Sequence, residues 1–493
     1  MSPPFKSTFS QDKRLVELFC FCILSIVFIW IILPFGPGMS NDSLLYLECG
    51  DHLFSGKGFT VIGHIGNLTF ASDRFPFFPI ALKTFSYIGI TPLIFQILSF
   101  CIFSFLLMRV LISFSPAGNR LLFSILAFLT LLFPFVLVFY NLWTEGVFLI
   151  LLLITILIYN TEKNILVLLI LLALLSLTRM VGLTVGISIA IAWMLQKKYA
   201  QSVSAIFFSV LPVAVWAMVG FWLGNENSRQ LSIHWISFIQ IQQFFATLGS
   251  LLINGTSWQT LPGILLFVTP ALLSAKFFFK HKITDQKIFF LIILFYIYPL
   301  FLFLSLSLLD HSTPMDERIL APQFLLLLLI VSHFLLKNQS FSNKITAPLL
   351  LLTFLSLAIR AKDYRTLHEN GYGYNSKETK EFKFQSVIKS LPQNTPWYTN
   401  QVHGVYHQTG KIAFELPLKF EIHNNRPNPG YESEWQNMLP EIINSSGTIV
   451  WIRSGALDKS FISYEELKTM DGLSVIYDDW LCLVMSAKQR INH

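Results

Sequence analysis

The sequence is short of charged residues. Only 13% of its 493 residues are Asp, Glu, Lys or Arg, whereas 54% are hydrophobic and the mean hydropathy is +0.59. Because soluble domains carry roughly 25% charged residues, this composition excludes an ordinary soluble globular protein. It indicates a protein that crosses a membrane several times. The net charge of +7 does not predict binding of nucleic acid, since the basic residues follow the ends of apolar runs.

Cysteine is also scarce, with five residues and no CxxC pair. This excludes a disulfide framework and gives no support for a structural zinc site. A cleavable signal peptide is not indicated either. The first apolar run, residues 16–34, is too long for a signal core and has no small-residue cleavage site. We therefore interpret this run as a permanent membrane anchor.

The C-terminal part of the chain lacks both a Gly-rich phosphate loop and a Ser/His/Asp motif. From Ala361 onward it contains 14 basic and 15 acidic residues, the balance of a soluble domain. Short β-like runs at 395–399, 448–453, 473–477 and 480–485 alternate with a helix-like run at 460–470. We predict that residues 361–493 form a small α/β domain with an accessory docking or lid function.

Long apolar runs dominate residues 1–360. A membrane-spanning helix needs about 20 apolar residues. This criterion predicts spans at 15–34, 91–113, 120–140, 144–159, 164–178, 180–195, 202–223, 261–279, 287–309, 318–336 and 344–360. The fold class is thus a polytopic α-helical membrane protein with about 11 transmembrane helices. From sequence alone, the break at Thr178-Arg179 is either a turn at the membrane surface or a kink.

The distribution of basic residues predicts the orientation. With the N-terminus in the cytoplasm, 14 Lys and Arg residues flank the cytoplasmic ends of the spans and six lie on the opposite side before the C-terminal domain. Cytoplasmic loops carry such an excess of Lys and Arg. We therefore expect an integral protein of a plasma membrane, most simply a bacterial inner membrane. The C-terminal domain and a first loop at about 35–90 would be extracytoplasmic.

Ionisable residues gather at the extracytoplasmic ends of these spans. Asp42 follows the first span, Glu145 begins the fourth, Arg179 lies at the break and Arg318 opens the tenth. Since a charge at the bilayer centre costs on the order of 3 kcal/mol or more, such residues are functional candidates. A transferase that acts on a lipid phosphate needs this combination. A carboxylate accepts the acceptor's proton and arginines pair with the phosphate oxygens.

Each of these residues also has a purely structural interpretation. Asp42 is at a position to cap a following amphipathic run, and Glu145 to stabilise a helix N-terminus. Arg179 has the length to snorkel to the interface, and Arg318 to pair with the acids beside it. We interpret His52 and His64 in the first loop as solvated residues and predict no metal site. A requirement for a divalent cation in catalysis stays open.

Several short motifs along the chain resemble those of one group of membrane enzymes. In chain order they are Asp42 with Tyr46, Leu53-x-x-Gly56-x-Gly58-Phe59, Pro76-x-x-Pro79, Thr144-Glu145, Leu177-Thr178-Arg179 and Arg318-x-x-x-Pro322. In this order and topology they resemble GT-C-fold glycosyltransferases, the broad family of protein O-mannosyltransferases and lipid A aminoarabinose transferases. The resemblance covers residues of about 15 to 360.

The resemblance implies a GT-C fold and a function. It implies transfer of a single sugar from a polyprenyl-phosphate carrier to a glycan, lipid or protein on the non-cytoplasmic face, with inversion and with Asp42 as the catalytic carboxylate. Arg179, Arg318, Glu145, Arg74 and Tyr46 would then contact the donor or its phosphate. No cofactor is implied with certainty, and the expected partners are the bilayer, the lipid-linked sugar and its acceptor.

Two other functions are consistent with the sequence. A polytopic transporter or lipid flippase would place Arg179 at mid-bilayer, facing a pathway open on two sides. A non-catalytic scaffold would have no cavity between Asp42 and Arg179. The discriminating observation is whether Asp42, Glu145, Arg179 and Arg318 converge around one cavity.

Overall fold

The structure is a computed structural model. It describes residues 8–114, 129–161, 164–223, 233–255, 257–280, 286–337, 347, 351, 353–381, 384–421, 426–453 and 460–488. Most of the chain before residue 360 is helical. The helices are α1 (Thr8–Ile32), α2 (Asn41–Phe54), α3 (Phe77–Tyr87), α4 (Pro92–Phe114), α5 (Phe133–Tyr140), α6 (Thr144–Thr161), α7 (Ile165–Thr178), α8 (Leu183–Leu195), α9 (Tyr199–Trp222), α10 (Phe238–Gly249), α11 (Thr260–Lys280), α12 (Gln286–Leu308) and α13 (Ala321–Lys337).

Three described helices are long and apolar enough to cross a membrane, namely Pro92–Phe114, Tyr199–Trp222 and Ile288–Leu308. Six shorter apolar helices accompany them, at Cys20–Ile32, Thr144–Asn160, Ile165–Thr178, Met180–Leu195, Thr260–Ala275 and Ala321–Lys337. Only 17% of the most apolar 18-residue stretch of α9 is buried inside the protein. This helix therefore presents most of its surface outward, as a lipid-facing helix does.

Several predicted spans have different bounds in the structure. The tenth helix was predicted from residue 318, but α13 begins at Ala321, so Arg318 lies in the irregular segment before it. In the predicted span 120–140, only residues from 129 onward are described, and their α-helix begins at Phe133. Much of the predicted span 344–360 lies outside the described residues, although 353–359 are helical.

The break at Thr178-Arg179 is a real interruption. Helix α7 ends at Thr178, Arg179 is extended with φ −154° and ψ 141°, and a short 3₁₀ turn follows at Met180–Gly182 before α8. The Thr178 hydroxyl donates to the Leu174 carbonyl one turn earlier. The extended backbone lets Arg179 project sideways from the helix end rather than along the helix surface.

The first loop is folded. Ser40 caps α2 with a reciprocal capping box to Ser43. After α2, an antiparallel hairpin forms from β1 (Thr60–Ile62) and β2 (Leu68–Phe70), followed by the short helix α3. Gly56 and Gly58 have φ of +80°, the left-handed conformation that glycine adopts without a Cβ penalty. The loop thus presents a fixed surface above the helices.

The C-terminal region is an α/β unit. Its helices are α14 (Ala361–Asn370), α15 (Lys377–Glu381), α16 (Phe384–Ser390), α17 (Val402–Thr409), α18 (Tyr431–Asn444) and α19 (Tyr464–Lys468). A mixed five-stranded sheet has the order β4 (Phe414–Glu415), β3 (Trp397–Thr399), β7 (Thr448–Ile452), β9 (Cys482–Ala487) and β8 (Leu473–Asp478). A separate small hairpin pairs β5 (Phe420–Glu421) with β6 (Arg426–Pro427).

The C-terminal region packs against the first loop through backbone and side chains. The Met39 N–H donates to the Tyr372 carbonyl at 3.2 Å, and the Tyr374 N–H donates to the Met39 carbonyl at 2.8 Å. Near the hairpin, the Glu415 N–H donates to the His64 carbonyl at 2.8 Å. The segment just before α2 is therefore held from the C-terminal side.

Candidate active site

Asp42 lies in the first turn of α2 and is not the helix cap, because Ser40 has that role. The structural interpretation of Asp42 as a cap is therefore wrong. Its carboxylate is instead engaged by two arginines, with Arg318 Nη2 at 2.8 Å from Oδ2 and Arg74 Nη2 at 3.2 Å from Oδ1. About 30% of the Asp42 side chain remains exposed, so the carboxylate is reachable from the cavity described below.

Glu145 connects two further elements of the site. Its side chain is completely buried. The Glu145 Oε1 atom lies 2.6 Å from Arg179 Nη1 and 2.6 Å from Arg318 Nε. A buried carboxylate between two guanidinium groups offsets their mutual repulsion and holds both in position. Arg318 thus bridges Glu145 and Asp42, residues that are far apart in the sequence.

A close backbone approach brings these two carboxylates together. The Gly38 N–H donates to the Tyr140 carbonyl at 2.9 Å, and the Leu142 N–H donates to the Gly38 carbonyl at 3.0 Å. A Cβ atom on Gly38 would lie 2.2 Å from the Asn141 side-chain oxygen, a distance that real Cβ atoms do not reach. Glycine at position 38 is therefore what lets the start of α2 lie beside the start of α6.

Trp143 supports Arg318 from one side. The Arg318 guanidinium carbon lies 4.3 Å from the centre of the Trp143 ring, which is close enough for a cation–π interaction. The Trp143 Nε1–H donates to Ser40 Oγ at 2.8 Å. Trp143 is buried, with 5% of its surface exposed, so it is part of the site and not an interfacial aromatic. By contrast, Trp222, Trp235 and Trp258 are strongly exposed, as interfacial aromatics are.

A cavity of about 320 Å³ opens beside these groups. Its polar lining brings together Asp42, Tyr46, Asp73, Arg74, Arg179, Asp310, Asp316 and Arg318. Glu145 does not line it and lies behind the arginines. The apolar part of the wall comes mainly from Met180, Val181, Phe301, Leu302 and Ile319. A polar end with cations and an apolar wall is suited to an amphiphile with an anionic group.

Arg74 and Tyr46 each keep one protonation state around neutral pH. Burial lowers the pKa of the Arg74 guanidinium, but the carboxylates of Asp73 and Asp42 raise it by more, so it lies above its usual value. Burial, together with the nearby Asp42 carboxylate, raises the pKa of the Tyr46 hydroxyl to about 12. Arg74 is therefore a permanent cation and Tyr46 a neutral hydroxyl, available as a hydrogen-bond donor.

The first-loop histidines have structural partners, and the interpretation of His52 as a solvated residue is wrong because its side chain is buried. His52 Nδ1 lies 2.9 Å from the Thr60 carbonyl, and His64 pairs with Glu415 of the C-terminal region. Across the described part of the chain, no three His, Cys, Asp or Glu side chains cluster in a way that holds a metal ion.

Three acids that line this cavity are not among the predicted site residues, namely Asp73, Asp310 and Asp316. Asp73 pairs with Arg74 Nη1 at 3.3 Å. In the sequence, an acid next to a base in a loop does not by itself indicate a functional site. Asp316 Oδ1 accepts from the Ile319 N–H at 3.0 Å, so its carboxylate caps the N-terminal end of the turn before α13. The signal available for Asp316 was its position two residues before Arg318. The sequence did not distinguish it from Glu317, which faces Arg360 instead.

The apolar helices, the folded first loop with an arginine–carboxylate site at its base, and the C-terminal α/β region define a membrane protein of the GT-C fold. The structure of ArnT from Cupriavidus metallidurans bound to undecaprenyl phosphate is similar, with a TM-score of 0.57, 11% identity, and coverage of 96% of this chain and 98% of that chain. The apo structure of the same protein has a TM-score of 0.56 at 10% identity, with the same coverage. No family model and no curated protein sequence matches the chain.

At 10–11% identity, this likeness confirms the GT-C fold that the sequence motifs predicted. The match extends over nearly the whole of both chains, so it includes the first loop and the C-terminal region as well as the apolar helices. The roles of individual residues have to be argued from the geometry of this chain.

Proposed function

We propose that this protein is a membrane glycosyltransferase. It takes a single sugar from a polyprenyl-phosphate carrier and transfers it, with inversion, to a glycan, lipid or protein acceptor on the non-cytoplasmic face. The observation that carries the proposal is the convergence of Asp42, Arg74, Arg179 and Arg318 on one cavity. The fold likeness to a protein solved with undecaprenyl phosphate supports a lipid-phosphate donor.

The arginines are suited to the phosphate of the donor. Arg74, Arg179 and Arg318 line the cavity with side chains that are 16–18% exposed, so each guanidinium has limited access to it. A planar guanidinium pairs bidentately with phosphate oxygens and stabilises the charge that develops on a departing phosphate. Glu145 acts as a positioning residue, because it orients two of these arginines from behind.

Asp42 is suited to accept the proton of the acceptor. The acceptor oxygen attacks the sugar's anomeric carbon, the bond from that carbon to the phosphate oxygen breaks, and the acceptor's proton moves to Asp42. The lipid phosphate leaves with the bonding electron pair and is stabilised by the arginines. Asp42 and the phosphate compete for the same guanidinium N–H groups. Donor binding therefore frees the carboxylate to act as a base.

The competing functions are less well supported. A transporter would place Arg179 at mid-bilayer, facing a pathway open on two sides, whereas Arg179 pairs with Glu145 and lines the same cavity as Asp42. A non-catalytic scaffold required no cavity between Asp42 and Arg179, and one of about 320 Å³ lies there.

The test is a transfer assay in membranes with a radiolabelled polyprenyl-phosphate sugar and the Asp42→Asn variant. We expect transfer to fall by about 10²-fold or more, in line with the usual contribution of a general base. Asp471→Asn, an exposed site in the C-terminal region, is the matched control and should retain activity. Full transfer by Asp42→Asn would refute the assigned role.

A further inference from the structure

A second cavity, of about 490 Å³, lies on the other side of α2. It is enclosed by the residues that follow α1, by α2 and α3, by the start of α4, and by side chains from α15 and α17. Among its lining residues are Phe35, Tyr46, Asp51, Lys83 and Lys380. Tyr46 lines both cavities. None of the roles proposed above uses this second cavity.

The polar lining of the second cavity carries more positive than negative charge. Lys83 and Lys380 contribute two ammonium groups and Asp51 one carboxylate. Lys83 Nζ pairs with Asp51, and Lys380 Nζ donates to the Phe35 carbonyl at 2.5 Å. Each ammonium has three N–H donors, so both keep donors for a further acceptor. The lining therefore favours an anionic ligand.

Exposed apolar side chains within two positions of lining residues form an apolar border next to this cavity. Helix α3 exposes Phe85, and the turn after it exposes Ile88. Ile94 is exposed on α4, one of the helices long enough to cross a membrane. Lys83 on α3 lines the cavity, and its ammonium lies 5.7 Å from the Tyr87 ring centre. A short amphipathic helix of this kind lies in the plane of the membrane interface.

We propose that the second cavity binds the phosphate-bearing headgroup of a membrane lipid from the leaflet on the side of the C-terminal region. The headgroup phosphate contacts the ammonium groups of Lys83 and Lys380, and the acyl chains lie along α3 and α4. The apolar border distinguishes this ligand from a water-soluble phosphate, which gains nothing from it. The lipid also contacts Tyr46 and hence the helix that carries Asp42.

This inference is independent of the proposed transferase function, because it concerns binding and not transfer. The experiment measures lipid binding to the full-length protein in detergent by native mass spectrometry. Phosphatidylglycerol is the anionic probe, phosphatidylcholine the zwitterionic comparison, and glycerol 1-phosphate the soluble headgroup. Undecaprenyl phosphate is measured in the same samples and reports on the arginine site.

We expect the wild-type protein to prefer phosphatidylglycerol. Lys83→Gln and Lys380→Gln should each weaken its binding by about fivefold, the effect of about 1 kcal/mol for one basic residue near a membrane surface. Lys83→Arg should preserve binding, and Lys389→Gln, at an exposed site on α16, should leave it unchanged. Binding of undecaprenyl phosphate should be the same in all variants.

Three results would overturn the inference. The first is equal binding of the two phospholipids by the wild-type protein. The second is unchanged phosphatidylglycerol binding by a variant that carries both Lys83→Gln and Lys380→Gln. The third is binding of glycerol 1-phosphate as tight as that of phosphatidylglycerol. The last would identify a site for soluble phosphates. A parallel loss of undecaprenyl phosphate binding in the lysine variants would show a general defect of folding and would equally contradict a separate lipid site.

Discussion

At the scale of single residues, Arg318 connects the site. Its guanidinium pairs with Glu145 through Nε and with Asp42 through Nη2, and it stacks on Trp143. All three contacts depend on the planar, forked shape of the group, which lysine lacks. The position of Arg318 outside α13 is what allows it to reach both carboxylates.

Arg318→Lys should therefore impair the site although the charge is conserved. We expect kcat/KM for the lipid-linked donor to fall about 10- to 100-fold, since hydrogen bonds to charged groups contribute about 1.5–3 kcal/mol each. Steady-state transfer kinetics measure this. Arg365→Lys is the matched control, because Arg365 is an exposed residue of α14 that pairs only with Glu369 among the contacts described. Wild-type kinetics for Arg318→Lys would contradict the bidentate role.

Asp42→Asn separates binding from chemistry. The amide keeps the shape of the carboxylate but no longer competes as an anion for Arg74 and Arg318. We therefore expect undecaprenyl phosphate to bind more tightly to this variant, by several-fold, even though transfer is lost. Isothermal titration in detergent measures the change. Weaker binding would mean that Asp42 supports the arginines more than it competes with the phosphate.

Glu145→Gln tests the positioning role. Removing one partner of a buried ion pair costs about 3–5 kcal/mol, because the remaining charges are left uncompensated. Here Arg179 and Arg318 would repel each other without the carboxylate between them. We expect a lower Tm in detergent together with weaker donor binding. Glu378→Gln, at an exposed position of α15, is the control. An unchanged Tm would contradict this account of Glu145.

At the scale of elements, α2 connects three regions. One side carries Asp42 and Tyr46 toward the first cavity, and Glu48 faces the hairpin and the C-terminal region. Glu48 is 5% exposed, accepts from the Ile62 N–H and lies 2.8 Å from His403 Nδ1 on α17. The helix that positions the proposed base is therefore held partly by the C-terminal region.

His403→Ala should loosen this attachment. It removes one partner of the buried Glu48 carboxylate, and leaving such a group unsatisfied costs about 1–3 kcal/mol or more. We expect faster limited proteolysis near the junction of the two regions and a reduced transfer rate. Glu48→Gln, which keeps an acceptor for Ile62, should have a smaller effect. If proteolysis of His403→Ala matches that of the wild type, the contact does not fasten α2.

At the scale of the whole molecule, Arg360 connects distant segments. It lies where the apolar helices meet the C-terminal region and is 7% exposed. It pairs with Glu317 and with Asp363, the latter at 2.9 Å, and its guanidinium lies 4.8 Å from the Phe133 ring centre. Glu317 is the neighbour of Arg318. The ion pair between Arg360 and Glu317 therefore also holds the segment that contains Arg318.

Arg360→Ala should destabilise the protein as a whole. We expect a loss of about 3–5 kcal/mol, the usual cost of breaking a buried ion pair, observed as a Tm several degrees lower. Transfer should also decline, because the segment containing Arg318 is less constrained. Arg365→Ala, five residues further on, is the exposed control. A Tm equal to that of the wild type would show that the cluster contributes nothing.

The sequence by itself determined the class of fold and the identity of the polar residues at the helix ends. Its hydrophobic runs specify membrane helices, and Asp42, Glu145, Arg179 and Arg318 are conspicuous in apolar surroundings. The tertiary structure alone decided which charge pairs with which, because Arg318 pairs with two carboxylates that lie more than a hundred positions away in the sequence. It also decided that Trp143 lies inside, that Glu145 lies behind the cavity, and that α2 separates two cavities. Hydrophobicity is a local property of the sequence, whereas the close approach at Gly38 and the convergence of the arginines arise only when the helices pack.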